Sequence, residues 1–186
     1  MIKLIIIDNY DSFTYNLVHY LEPYCKEITI FRNDEINHDF ISDEHKILLS
    51  PGPGLPSENK ELNYSIEKYH LSNNIFGVCL GFQAIGQFFG AELHNLKKVR
   101  HGIQTQLEIL NHEFLFKYVP NKINIGHYHS WVIKNVPKQL KVTALDIENY
   151  AMAFRHSHLK ISGIQFHPES ILTDYGKQIL QNWIIS

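Results

Sequence analysis

Residues Ile75–Phe89 read IFGVCLGFQAIGQFF: a short apolar run, a cysteine between two glycines, then a helical pattern that Gly90 stops. A strand running at once into a helix, with Gly77-Val78-Cys79-Leu80-Gly81 at the join, is the setting of a nucleophile elbow. So sharp a turn brings backbone against the central residue, and side chains at Gly77 and Gly81 would clash. It also lifts the Cys79 sulfur to a helix N-terminus, where free N–H groups and the helix dipole favour a thiolate. An unpaired cysteine is most often a small buried hydrophobe. The two flanking glycines move the reading of Cys79 toward a nucleophile.

The flanking segments repeat the strand–helix alternation. Ile2–Ile7 (IKLIII) is a continuous apolar, β-branched run, as expected of a strand covered on both faces. Asp8 ends it, and Asp11 or Ser12 is placed to cap a helix through about Glu22, with Phe13, Leu17 and Leu21 along one side. Glu27–Phe31 and Lys46–Ser50 read as the next strands, and a helix is predicted over Glu61–Leu71. This alternation predicts an α/β fold with a doubly wound, mainly parallel sheet and helices on both faces. From Ala91 the texture changes. Short strands over Ile103–Leu110, Lys122–Ile125, Leu140–Leu145, Ala151–Phe154 and Ile161–Phe166 predict a mixed or antiparallel extension. A last helix over Thr173–Ile185 would turn Ile179, Leu180 and Trp183 inward. With no repeat and no long linker, the 186 residues read as one domain.

Apolar residues make up 44% and charged ones 19%, an ordinary globular composition. The net charge of −2 gives no basic footprint for nucleic acid. The apolar run in MIKLIIIDNYD is too short for a signal peptide, and nothing approaches the ~20 apolar residues of a membrane span. Cys25 and Cys79 make neither a disulfide framework nor a four-cysteine metal site, which points to a reducing, cytoplasmic setting.

A nucleophile needs a base, and GIQFHPES (Gly163–Ser170) offers one at the end of an apolar strand. In an extended segment residues i and i+2 point the same way, so His167 and Glu169 can meet. Pro168 between them fixes φ and removes a competing donor. A carboxylate on one ring nitrogen sets the tautomer and leaves the other free to exchange a proton with sulfur. Taken singly, HPE would be a solvated loop; with Cys79 at another strand end, a triad is the better reading. Ser50–Gly54 (SPGPG) follows a third strand. Pro51 and Pro53 have no N–H, so Gly52 and Gly54 are the donors of a stiff loop suited to a developing oxyanion. The N–H of Leu80 would be the second donor.

These blocks, in order, resemble a known family. DNYDSFTYNLVHYLE, SPGPGLPSE, GVCLGFQAIG, HYHSW and QFHPESILTDYG are similar to successive blocks of the class I, triad-type glutamine amidotransferases. They are most similar to the glutaminase subunits of anthranilate synthase and aminodeoxychorismate synthase. The resemblance implies that Cys79 attacks the carboxamide of L-glutamine, with His167 shuttling the proton and Glu169 orienting it. It implies substrate contacts at Gly52, Pro53, Gly54, Leu80, Gln83, Ser130 and Trp131, the amides of Gly54 and Leu80 holding the oxyanion. It further implies a chorismate-binding synthase partner that carries Mg²⁺, no cofactor in this chain, and low glutaminase activity for the chain alone. Free ammonia would protonate and diffuse away, so a direct passage between subunits is expected.

Three positions depart from the family pattern: Phe82 beside Gln83, His127 in place of an expected arginine, and HGIQTQ (His101–Gln106) near the implied interface. Phe82 is expected to reshape the pocket slightly. His127/His129 and His156/His158 have the i, i+2 spacing of a strand-borne metal pair. Without an evident third ligand or carboxylate support, they read as surface or interface histidines. Two other function classes remain open: a cysteine peptidase or hydrolase on a similar elbow, and an inactive regulatory subunit. The choice between the tryptophan and folate pathways is also open.

Overall fold

A computed structural model describes residues 2–186. β1 (Ile2–Asp8) lies inside the sheet, and its alternate residues feed two cores. Leu4 and Ile6 face one helical layer, Ile5 and Ile7 the other, which is why the run has no polar face. α1 (Thr14–Leu21) and α4 (Gly176–Ile184) pack on the first side. α2 (Lys60–Tyr69) and α3 (Leu80–Phe88) pack on the second. The remaining strands are β2 (Cys25–Arg32), β3 (His45–Leu49), β4 (Asn74–Val78), β5 (Glu92–Ile109), β6 (Lys122–Lys134), β7 (Leu140–Asp146), β8 (Ala151–His156) and β9 (Ile161–Ile164).

The nine strands of the described residues form one sheet in the order β2-β1-β3-β4-β9-β8-β7-β5-β6. From β2 to β9 neighbours are parallel, and from β9 to β6 they are antiparallel. The expected doubly wound sheet with an antiparallel extension is therefore present. The parallel strands β1, β3, β4 and β9 end at one rim, so the segments after them share that side, where open α/β sheets bind ligands.

Several boundaries differ from expectation. α1 begins at Thr14, because Asp8 Oδ1 accepts from the Thr14 hydroxyl at 2.7 Å and Asp11 Oδ2 accepts from the Phe13 N–H at 2.9 Å. Those bonds shape a turn rather than a side-chain cap, and Phe13, placed along one side with Leu17 and Leu21, is exposed while those two are buried. β5 and β6 are far longer than predicted and form a hairpin whose register slips between Asn95 and Arg100 and between His101 and Ile103. α4 starts at Gly176 because the Thr173 hydroxyl is committed to the loop, donating to His167 O and accepting from the Gly126 N–H. Ile179, Leu180 and Trp183 are fully buried, as the pattern of the last helix required.

Trp183 stacks on Phe76 at 4.8 Å between centroids, and its indole N–H donates to Asn74 Oδ1 at 2.9 Å. Trp183→Ala leaves a cavity in the first core and an unpaired polar group at its rim. We expect a loss of about 3–5 kcal/mol in urea unfolding.

Candidate active site

Cys79 sits between the last residue of β4 and the first of α3, with φ +51° and ψ −99°. That conformation is costly for a residue with a side chain, by about 1–3 kcal/mol. It is held from both sides: Cys79 N–H donates to Ile164 O at 2.9 Å, and Cys79 O accepts from Gln83 N–H at 3.0 Å. The glycines are explained by distance. A Cβ on Gly77 would lie 2.6 Å from Gly81 O, and one on Gly81 would lie 2.7 Å from Leu49 Cβ. As the first helical residue, Leu80 has an N–H without an intrahelical acceptor.

His167 and Glu169 lie beyond β9, which ends at Ile164, two residues earlier than predicted. They meet through a turn rather than along an extended strand: Ser170 N–H donates back to His167 O. His167 Nδ1 is 2.6 Å from Glu169 Oε1, and both side chains are buried. The other ring nitrogen, Nε2, has no conventional hydrogen-bond partner. Burial opposes the charged imidazole, but charge and hydrogen bonding from Cys79, reinforced by Glu169, hold the His167 pKa well above its ordinary value. The Tyr128 ring stands edge-on to the imidazole at 5.0 Å and restricts its motion. The sulfur, ring and carboxylate are thus brought together from two strand ends.

Cys79 opens onto a pocket of about 360 Å³. Gly52, Pro53, Gly54, Leu80, Gln83, Ser130 and Trp131, all expected at the substrate, line it. The Ser50–Gly54 loop is fixed by Asn9, whose backbone N–H donates to Ser50 Oγ and whose side chain donates to Ser50 O, each at 2.8 Å. Gly54 has φ +78°, a left-handed turn that aims the loop at the pocket mouth. Gln83 Nε2 donates to Trp131 O at 2.9 Å and to Gln165 Oε1 at 3.1 Å, so both amide hydrogens are engaged.

Sequence reading missed Asn9, Val99, His101 and Tyr128. The last three line the pocket from the β5–β6 hairpin, at the register slips that no alternation pattern marks. Asn9 had a signal, since it follows directly on a strand end.

Two expectations are corrected. Phe82 does not line the pocket; it is fully buried and stacks on Phe154 at 4.4 Å. His127 and His129 are not surface residues: both are buried, and His127 Nδ1 lies 2.9 Å from His129 Nε2. His127 Nε2 is 2.6 Å from the Thr105 hydroxyl. The shared bond occupies one nitrogen of each ring, and no group of three potential ligands gathers among the described residues. His156 accepts from the N–H groups of His158 and Leu159, a loop-closing role.

Burial, with the Arg100 charge nearby, lowers the His127 pKa to about 4; burial and His127 lower that of His129 to about 3. Between pH 6.5 and about 4 the unfolded chain takes up protons that these rings refuse, so stability declines as the solution is acidified. For His127 alone this reaches ~3 kcal/mol at the low end. The raised His167 acts in a different window: its stabilisation is complete below pH 6.5 and is lost as pH rises toward its folded pKa, so it leaves the decline between pH 6.5 and about 4 unchanged. We expect the melting temperature to drop from pH 7 to 4.5, with a shallower slope in His129→Gln.

Comparison with known proteins agrees with this geometry. The family described as glutamine amidotransferase class-I matches residues 5–186. "Aminodeoxychorismate/anthranilate synthase component 2" of Bacillus subtilis is 40% identical over 185 residues, covering 97% of this chain and 95% of the relative. "Anthranilate synthase component 2" of Pseudomonas aeruginosa is 40% identical over 192 residues, covering 97% of this chain and 94% of the relative. A Thermoplasma acidophilum crystal structure, assigned to a GMP synthase, superposes with a TM-score of 0.88 at 27% identity, covering 99% of this chain and 92% of that one. With an elbow cysteine, an acid-paired histidine and a full-length family match, this chain belongs to the class-I glutamine amidotransferases.

Proposed function

We propose that the chain is the glutaminase subunit of a chorismate-using synthase, and that it hydrolyses L-glutamine through a thioester on Cys79. The observation that carries this is the elbow sulfur on the pocket wall, with the buried His167–Glu169 pair close enough behind it for Cys79 to act on the imidazole by charge and hydrogen bonding. The sulfur adds to the side-chain carbonyl carbon of glutamine, and the negative oxygen is received by the amides of Gly54 and Leu80. His167 gives its proton to the leaving nitrogen, the C–N bond breaks, and ammonia departs. Water, deprotonated by His167, then attacks the thioester; the S–C bond breaks and glutamate leaves. Glu169 holds the ring with Nε2 toward sulfur throughout.

The relatives named component 2 support a partner chain, and the Bacillus subtilis relative carries both synthase names. We assign the amination of chorismate, and the Mg²⁺ it needs, to that partner, with ammonia passing directly between the two in the cytoplasm. No helix among the described residues is long and apolar enough to cross a membrane. Anthranilate synthesis is the leading assignment; aminodeoxychorismate synthesis, alone or in addition, is the second, favoured by the doubly named relative. Co-expression with each chorismate-using synthase of the same genome tests this. Glutamine-dependent formation of the ortho-aminated product by a co-purifying complex is expected. Absence of any complex, or of any glutamine-dependent amination, would refute it.

A further inference from the structure

Gln165 is fully buried directly after β9 and has no place in the reaction of Cys79, His167 and Glu169. Its backbone N–H is tied to Met152 O at 2.8 Å, and the neighbouring Ile164 O receives the Cys79 N–H, so the two residues are held side by side. Its side-chain Nε2 lies 3.6 Å from Cys79 Sγ, within hydrogen-bond reach for sulfur. Which end of that amide faces the sulfur is settled by the network. Gln83 gives both amide hydrogens to oxygens, Trp131 O and Gln165 Oε1. Gln165 therefore turns its oxygen to Gln83, and its NH₂ is left to meet the sulfur.

We propose that Gln165 is a further catalytic residue, a donor to the Cys79 sulfur that favours the thiolate before attack and on its expulsion from the thioester. Gln83 is the positioning residue that keeps this donor from flipping. The inference rests on Cys79 being the nucleophile. A donor on sulfur stabilises negative charge there, and its removal penalises both steps in which the charge resides on sulfur. The expulsion step should suffer more, because a lowered thiolate population in the attack step is partly offset by greater nucleophilicity. Trp131 also lines the glutamine pocket, so the Trp131–Gln83–Gln165–Cys79 chain ties the substrate wall to the sulfur.

The test is the pH profile of Cys79 alkylation by iodoacetamide, read by peptide mass spectrometry, in wild type and Gln165→Met. Methionine keeps the volume and removes the donor. Cys25 supplies only a slow background, since burial pushes its thiol to about 11. Other groups near the sulfur stay in place: His167 beside it, and Glu58, His101 and His129 on the pocket wall. We expect alkylation of Q165M to be about threefold slower at pH 7, with its midpoint about one pH unit higher, since greater nucleophilicity offsets part of the roughly tenfold loss of thiolate. In the synthase complex kcat should fall with little change in KM. A wild-type profile in a folded Q165M would overturn the inference and leave the nucleophile intact. Failure of glutamine to protect Cys79 in wild type would overturn both. Should Q165M not fold, Gln83→Met carries the test: an upward move is expected, and an unchanged profile would overturn the clamp.

Discussion

Replacing Cys79 by alanine should lower glutamine-dependent amination by the synthase complex about 10⁴-fold or more, while amination from ammonium salts persists. The size follows from the proposed route: without sulfur there would be no thioester, and water would have to attack an amide with help from the proposed oxyanion donors and binding alone. The persistence follows from where the chemistry sits, since the proposed partner holds chorismate and needs only ammonia. Cys79 is 5% exposed, so losing one sulfur atom changes packing modestly and leaves the elbow backbone in place. Cys79→Ser should be nearly as inactive, because the hydroxyl must be deprotonated from a far higher pKa by the same imidazole. Product formation measured with glutamine and with ammonium chloride at pH 8.5 reads both quantities. Equal loss with both nitrogen sources would point to a broken assembly rather than a lost nucleophile.

Glu169→Gln is the second large effect. The carboxylate accepts from His167 Nδ1 at 2.6 Å in a site where both groups are nearly free of solvent. In the proposed mechanism it fixes the tautomer with Nε2 toward Cys79 and stabilises the imidazolium while ammonia leaves. An amide keeps the volume, removes the charge, and can present an N–H that demands the wrong tautomer. We expect kcat with glutamine to fall ~10²–10⁴-fold with KM nearly unchanged, by comparison with buried acid-to-amide changes in other triads. Removing the carboxylate should also take away the part of the upward hold on His167 that Glu169 adds to that of Cys79, so the acid limb of the kcat profile should move to lower pH.

The parallel half of the fold and the convergence of Cys79, His167 and Glu169 were legible because local chemistry dictated them. A β-branched run buried on two faces, a glycine on either side of a cysteine, and a proline between an imidazole and a carboxylate each allow few conformations. The His167–Glu169 contact was foreseen, but its route was not, because the strand stops at Ile164 and a turn makes the approach. The β5–β6 hairpin was read too short. Over Lys97–Gln104 its side chains face solvent or the pocket, apart from Arg100, so no period-two pattern marks it. Val99, His101 and Tyr128 were not read as pocket residues for that reason. The buried histidine pair was hidden differently: His127 and His129 share a face of β6, but the rings meet each other and Thr105 of β5 there, a cross-strand arrangement that no local spacing reveals. Gln165 looked like one more residue of an apolar strand, and only the neighbouring strand places it against sulfur.

The central claim is that glutamine becomes covalently attached to Cys79 during turnover. Acid-quenching the synthase complex while it consumes isotopically labelled glutamine, then mapping the label by peptide mass spectrometry, tests it directly. A glutamyl adduct on the peptide carrying Cys79, absent in Cys79→Ala, is the predicted result. Ammonia release at the wild-type rate from a complex whose Cys79 never carries the adduct, or an adduct on Cys25 instead, would contradict it.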